Sequence, residues 1–384
     1  MSIVIVGAGQ AAAQLVMSLR QGGYKDAIRM IGDEPYAPYQ RPPLSKKFLT
    51  ERPAAETLYF RPANFWTDQG VTTSLDAPVL SIDRAAGRVM LKDGHADYGT
   101  LFLATGTRAR DLPIPGAGLD GVFSLRKIDD VRRLRGPLDS AKHVVIVGGG
   151  YIGLEVAAVA RGEGREVTVL EAEDRVMKRV TSPVISHFMQ DFHRARGVDI
   201  RLRARLAAIE GGARAAQVKL ADGTELPADL VLLAVGAKPN DDLADDARLR
   251  CQDGVVVDEH GRTADPSIYA AGDCTRFPSK RYGRMLRLEC VQNAIDQAKA
   301  VASAILGKPQ FYDPVPWFWS DQYELKLQMA GISDGYDDAI TVGDVAAARF
   351  SVEYRRNGKL IAVDAVNDGR AYMGGRKRIA EETA

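Results

Sequence analysis

The chain of 384 residues is poor in cysteine and histidine. Its three cysteines, Cys251, Cys274 and Cys290, are scattered, with no CxxC pair and no metal-ligand spacing. That excludes a disulfide scaffold and a cysteine-held metal, and it points to a reducing, cytoplasmic setting. The five histidines, His95, His143, His187, His193 and His260, make no zinc constellation and are expected to be surface or hydrogen-bonded structural residues. An excess of one charge is also lacking: 51 basic against 50 acidic residues leave a formal net charge of +1. Nothing therefore draws the whole molecule toward nucleic acid or a membrane, and any charged docking surface must be local. Long hydrophobic runs are missing too. The longest, His143 to Ala160, is broken by three consecutive glycines and carries Glu155, which would be costly in a bilayer, so it reads as a buried strand and helix. The apolar opening SIVIVGAGQAAAQLVMSLR lacks the basic stretch of a secretory signal, and its GAG turn reads as a first strand, turn and helix.

What the sequence does contain is one module written twice. Ser2 to Val6 (SIVIV) runs into GAGQAA, and His143 to Val147 (HVVIV) runs into GGGYIG, each a β-branched strand, a glycine turn and an apolar helix. Val89 to Thr107 likewise parallels Val218 to Ala237. Each predicts a hairpin, turning at Asp93-Gly94 or Asp222-Gly223, then a buried strand ending at Gly106 or Gly236. After Gly236 the chain returns to strand-like VVV (Val255 to Val257) and to PSIYAAGDC (Pro266 to Cys274), so the second copy is inserted into the first. This places one domain at 1–112 with 240–310 and a second at 113–239. A third, 311–384, follows the proline-punctuated YDPVPWFWSDQ. Its alternating segments and Asn357-Gly358 turn predict a small antiparallel sheet with one or two helices, suited to dimerisation or partner docking. The fold class is α/β, with two interleaved Rossmann-like dinucleotide-binding domains and a C-terminal α+β domain.

A single GxGxxG is weak evidence, but here each copy follows a strand and opens a helix, which is the context the motif requires. Gly7 and Gly148 allow the tight turn, Gly9 and Gly150 let a pyrophosphate approach the backbone, and Ala12 or Gly153 lets helix pack on strand. The helix N-termini then offer free N–H groups and a positive dipole end to phosphate. At the end of the second strand EVTVLEAED places Glu171 where a carboxylate accepts both ribose hydroxyls and repels a 2′-phosphate, which predicts NADH over NADPH. In the first copy the corresponding residue is Gly32, and Asp33 or Glu34 just beyond it takes the ribose, Asp33 being the choice. Asp273, in a Gly-Asp turn read as lying ahead of a helix, is either a ribityl and pyrophosphate residue or a helix N-cap.

The segments YQRPPLSKKFL, LATGTR, GGGYIGLE, IYAAGDC and PWFWSDQYELKLQMAG together resemble the FAD-dependent NAD(P)H:ferredoxin reductase family, of putidaredoxin reductase and biphenyl dioxygenase reductase type. The likeness covers nearly the whole chain and implies a glutathione-reductase-like architecture. It also implies FAD contacts at Ala11, Asp33, Lys46, Val79, Arg126, Asp273 and Val291. Thr105 and Gly106 of LATGTR join that set, and Ile152 and Gly236 join the NAD site. Arg41 either reaches the flavin phosphate or is a surface arginine held by the prolines. In the family's arrangement Lys46 and Glu155 meet beside the flavin's reactive nitrogen, and Trp319 lies near its edge. The implied reaction is hydride transfer from NADH to FAD, then single-electron transfer to a [2Fe-2S] ferredoxin. A disulfide reductase or NADH oxidase would need a redox cysteine at the flavin, where this chain reads PPLSKK. A flavin-bound signalling protein of apoptosis-inducing-factor type shares the architecture and is the alternative from another class. For an acidic ferredoxin, the candidate docking charges are Lys280, Arg281, Arg284 and Arg287, which could equally be a solvated loop; Trp317 and Trp319 are the second candidate surface or plain core.

Overall fold

The computed structural model describes residues 2–382. The last two residues of the predicted third domain thus lie outside the described part. The chain forms two compact units. One gathers the chain up to Gln40 with Ala54–Arg108 and Lys238–Pro316; the other gathers Arg41–Pro53, Ala109–Ala237 and the chain from Trp317 onward.

The first unit is built on a five-stranded parallel sheet in the order Ile268–Ala270, Thr100–Leu103, Ile3–Val6, Ile28–Ile31, Val71–Ser74. The central strand IVIV is buried along its whole length, as a parallel strand covered on both faces must be. Helix Gln10–Gln21 buries Ala11, Ala12, Ala13, Leu15, Val16 and Leu19. That face packs in one core with Ala294, Ala298, Val301 and Ala302 of helix Val291–Ile305. Small residues on both helices let their backbones approach closely.

The second unit repeats the plan with a five-stranded parallel sheet, in the order Val198–Leu202, Glu166–Glu171, His143–Val147, Leu230–Leu233, Val122–Phe123. It also holds a five-stranded antiparallel sheet in the order Trp317–Gln322, Leu325–Gly331, Lys359–Val366, Arg349–Arg356, Asp338–Asp344, followed by helix Gly369–Glu382. The edge strand Asp338–Asp344 exposes Ile340 and Val342.

The expected Asn357-Gly358 turn is present: Arg356 pairs with Lys359, and both turn residues have positive φ. Of the two Asp-Gly hairpins, the first turns one residue earlier than expected, and the second keeps Asp222-Gly223 in its loop, which is one residue longer. Leu91 pairs directly with Gly94, so Lys92 and Asp93 make the first turn and Gly94 starts the returning strand. In the second, Gly223 has φ +89° and its N–H closes onto the Leu220 carbonyl at 3.0 Å, so glycine is the third residue of a longer loop. Among the described residues no helix is long and apolar enough to cross a membrane.

Candidate functional site

Both glycine turns have the geometry that their spacing implies. Gly7 and Gly148 sit at φ +109° and +107°, and a Cβ on them would lie 2.2 Å from the Ala104 carbonyl oxygen and 2.4 Å from that of Ala234. No other residue fits there. A Cβ on Gly9 or Gly150 would meet nothing within 4 Å, and neither helix that follows has a side-chain N-cap, so the N–H groups face open space. Gly153 packs so tightly that a Cβ would come 2.1 Å from the Gly148 carbonyl oxygen, whereas the first copy tolerates the fully buried Ala12. These open backbone cradles fit a pyrophosphate in each unit.

In the first unit Asp33 is exposed, while Glu34 is buried and accepts the Tyr39 hydroxyl at 2.7 Å. Thr105 and Asn240 bond reciprocally, Oγ1 donating to the Asn240 carbonyl at 2.6 Å and Nδ2 to the Thr105 carbonyl at 2.8 Å. They brace the turn that carries Gly106, whose position is open to a ligand. Asp273 is followed by strand Thr275–Ser279 rather than a helix, and the helix cap downstream is Cys290, so the N-cap alternative falls. Thr107 donates to Asp273 at 3.4 Å, and the Gly272 N–H is held by the Gln297 side-chain oxygen at 2.9 Å. Ala11 is buried, and Val79 and Val291 are half-buried. Arg287 is not a free docking charge: it is largely buried between Asp253 at 3.1 Å and Glu289 at 2.5 Å. Lys280 lies over the Phe311 ring at 4.4 Å, and Arg284 is exposed.

In the second unit Glu171 ends its strand facing the glycine turn. Its two oxygens accept the N–H groups of Gly149 at 2.8 Å and Glu173 at 2.9 Å. The nearby cations are already engaged: Arg175 binds the Thr181 and Lys178 carbonyls and the Ser186 hydroxyl, and Lys178 pairs with Glu173 and Asp174. Ile152, in the first turn of the helix, is 42% exposed, an apolar residue left uncovered beside Gly150. Gly236 has φ +103° and open space around it. Arg41 donates to the Arg126 carbonyl at 2.8 Å.

The same unit brings Lys46 and Glu155 together. Pro42–Ser45 forms a single 3-10 turn that delivers Ser45 and Lys46 to helix Tyr151–Gly162. Glu155 is buried at 3% exposure and receives the Lys46 ammonium at 2.7 Å, the Ser45 hydroxyl at 2.5 Å and the Ser320 hydroxyl at 2.6 Å. A buried carboxylate with one cation and two hydroxyl donors is fully satisfied, which offsets its desolvation. Ser45, Ser320 and Tyr39 were missed in the sequence. Ser320 carried a signal, since it is polar on the face of Trp317–Gln322 that alternation buries. Trp317 and Trp319 occupy the opposite face, their rings 5.8 Å apart and half-buried.

The three thiols are unpaired, and burial pushes all of them up, Cys251 and Cys290 to about 12. Protonated thiols do not attack a disulfide, and Ser45 contributes only a hydroxyl. His143 contacts Glu166 at 3.0 Å, His193 and His260 are hydrogen-bonded, and no group of three His, Cys, Asp or Glu that could hold a metal is found among the described residues.

The pyridine nucleotide-disulphide oxidoreductase family matches residues 1–298, and the reductase C-terminal family matches residues 317–384. Rhodocoxin reductase of Rhodococcus erythropolis is 44% identical over 384 residues, covering 100% of this chain and 90% of that protein. A ferredoxin reductase from Rhodopseudomonas palustris matches in structure with a TM-score of 0.97 at 42% identity, covering 100% of this chain and 95% of that one. The reductase of a covalent putidaredoxin reductase–putidaredoxin complex matches with a TM-score of 0.96 at 40% identity, over 99% of this chain and 93% of that one.

Proposed function

Because this chain belongs to the pyridine nucleotide-disulphide oxidoreductase family, in its ferredoxin reductase branch, we propose that it moves electrons from NADH through FAD to a [2Fe-2S] ferredoxin serving a monooxygenase or a Rieske dioxygenase. FAD, when bound, takes up an electron pair and releases it one electron at a time. In this reading the domains are 1–112 with 240–310 for FAD, 113–239 for NADH and 311–384 for docking or dimerisation. Gly7, Gly9 and Ala12 cradle the FAD pyrophosphate, and Asp33 or Glu34 takes the ribose. Ala11, Arg41, Val79, Thr105, Gly106, Arg126, Asp273 and Val291 line the rest. Gly148, Gly150, Ile152, Gly153 and Gly236 receive NADH, and Glu171 excludes a 2′-phosphate by charge. Trp319 stands near the flavin edge. Three unpaired thiols suit a reducing cytoplasm.

The observation that carries the reading is the contact of the Lys46 ammonium with the buried Glu155 carboxylate at 2.7 Å. Lys46 supplies a fixed positive charge where negative charge develops on reduction, and Glu155 holds that ammonium in place. The chain's remaining task is to bring the two reacting atoms to about 3–3.5 Å. Stopped-flow mixing of the flavin-loaded protein with NADH should bleach the flavin rapidly, and cytochrome-coupled turnover should then depend on added [2Fe-2S] ferredoxin. Turnover indifferent to that ferredoxin would sink the acceptor assignment, and an unreduced flavin would sink the whole reading.

A further inference from the structure

Strand Trp317–Gln322 is anomalous on its buried face. Ser320 and Gln322 are both polar and both at or below 1% exposure, where alternation calls for apolar residues. Their partners form one chain of contacts. The Ser320 hydroxyl meets a Glu155 oxygen at 2.6 Å, Gln322 Nε2 meets Ser320 Oγ at 3.1 Å, and Gln322 Oε1 meets Nε2 of His193 at 2.8 Å. His193, on helix Pro183–Ala195, is itself completely buried.

The direction of every proton follows from one end. Glu155 as a carboxylate only accepts, so Ser320 donates to it; Ser320 must then accept from an amide N–H, which fixes the Gln322 side chain with its oxygen toward His193. His193 Nε2 therefore carries a proton. Burial, joined by the Arg196 charge, holds this imidazole below its ordinary range despite the Gln322 contact, so it is neutral near pH 7. Nδ1 is the bare nitrogen, and it has no hydrogen-bond partner. All three donors, the His193 Nε2–H, the Gln322 Nε2–H and the Ser320 hydroxyl, thus point one way, toward Glu155.

The far end of the chain is clamped. Tyr323 directly after the strand adopts φ +52°, a conformation that bulky residues rarely accept. Its ring packs 5.2 Å from the His193 ring and 6.0 Å from Phe192, and Arg196 lies over it at 5.1 Å while pairing with Glu324. Helix Pro183–Ala195 and the hairpin turn thereby fix Gln322 from outside the site.

We propose that His193 and Gln322 are positioning residues for the Lys46–Glu155 pair: they orient the Ser320 hydroxyl onto Glu155 and so fix the carboxylate that holds the Lys46 ammonium. An amide passes a proton only by becoming an imidic acid, so the chain orients and does not conduct. The inference rests on the reading of Lys46 as the charge beside the flavin.

The test measures, in each flavin-loaded variant, the single-turnover rate of flavin reduction by NADH and the flavin midpoint potential, with the melting temperature as the structural control. Ser320→Ala should slow reduction about tenfold, the rate equivalent of about 1.4 kcal/mol, and lower the potential, because the ammonium is drawn more strongly to Glu155. Gln322→Glu, which cannot donate to Ser320, should turn that hydroxyl round and reproduce the loss. His193→Phe should do so in part, and His193→Gln, which keeps an N–H at the Nε2 position, should restore the wild-type rate. Variants that lower the melting temperature while rate and potential stay at wild-type values would overturn the inference, since that is what packing alone predicts. Lys46→Ala in the same series separates the two ideas. If it alone is slow, the pair is functional and the relay is not; if it is as fast as wild type, the reading of the pair falls and the relay with it.

Discussion

Glu155 and Asp364 are each 3% exposed, and their surroundings treat the buried carboxyl in opposite ways. Around Glu155 a lysine and two serines supply a full charge and two hydroxyl donors. Around Asp364, on the C-terminal sheet, the donors among the described residues are the Thr181 hydroxyl and the Tyr354 hydroxyl, the latter at 2.6 Å. Burial therefore pushes Asp364 up to about 6 in spite of both hydroxyls. The same desolvation makes one carboxylate an ion-pair partner and the other a group poised to take up a proton. What separates them is a single cation, delivered by a short turn, Pro42–Ser45, far away in sequence.

The comparison is broken most severely by removing that cation. Lys46→Ala should leave a buried carboxylate without its countercharge, costing about 3–5 kcal/mol of stability, and should slow flavin reduction by about a hundredfold or more, far more than it weakens FAD binding. Wild-type stopped-flow kinetics would refute the role given to the pair.

Asp364→Asn tests the other side. The folded value of about 6 lies above the ordinary 3.8, so this group contributes stability that is fully present below about pH 4 and lost as pH rises through about 6. The span of about two units is worth about 3 kcal/mol. Wild-type protein should therefore lose melting temperature between pH 4 and 7 relative to Asp364→Asn, and parallel curves for the two proteins would show that the carboxyl stays unprotonated throughout.

A third carboxylate, Glu171, differs from both because the backbone N–H groups of Gly149 and Glu173 hold it. Glu171→Arg should narrow the preference for NADH over NADPH in kcat/KM by about ten- to a hundredfold; an unchanged ratio, or a wild type that uses NADPH equally well, would remove this residue from coenzyme choice. Smallest is the surface effect. Arg284→Glu should lower ferredoxin association by a few-fold at low salt and flatten its salt dependence, leaving flavin reduction by NADH intact. Cytochrome-coupled turnover that follows wild type across a salt series would exclude Arg284 from docking. Arg287→Glu, by contrast, should register as lost stability, because that arginine is bound between Asp253 and Glu289.

The parallel sheets, the two glycine turns and Glu171 were legible because each depends on local chemistry: β-branched runs, a backbone approach that excludes a Cβ, a strand end. The antiparallel C-terminal sheet was legible from alternation and from Asn357-Gly358. Turn register was not, since Asp-Gly fits both a two-residue turn and the third position of a longer loop, and strand pairing decides between them. The helix read after Asp273 failed because a hairpin of two short strands, Thr275–Ser279 and Arg284–Leu286, intervenes before Val291. Arg287 was misread as surface because its partners lie on a separate loop and two residues along the chain, and charge runs do not reveal pairing. Ser320 and Gln322 lie more than a hundred residues from His193, and only folding shows that the three form one chain of hydrogen bonds ending at Glu155.

The exposed edge strand Asp338–Asp344 bears on how copies of this molecule behave at high concentration. With a formal charge of only +1, long-range repulsion between copies is nearly absent. An open strand edge displaying Ile340 and Val342 is a template on which a second chain can hydrogen-bond. The aspartates at its two ends, Asp338 and Asp344, place like charges opposite each other when two such edges meet antiparallel. Opposition to pairing at this edge thus comes from two residues that bracket one strand, rather than from the charge of the whole.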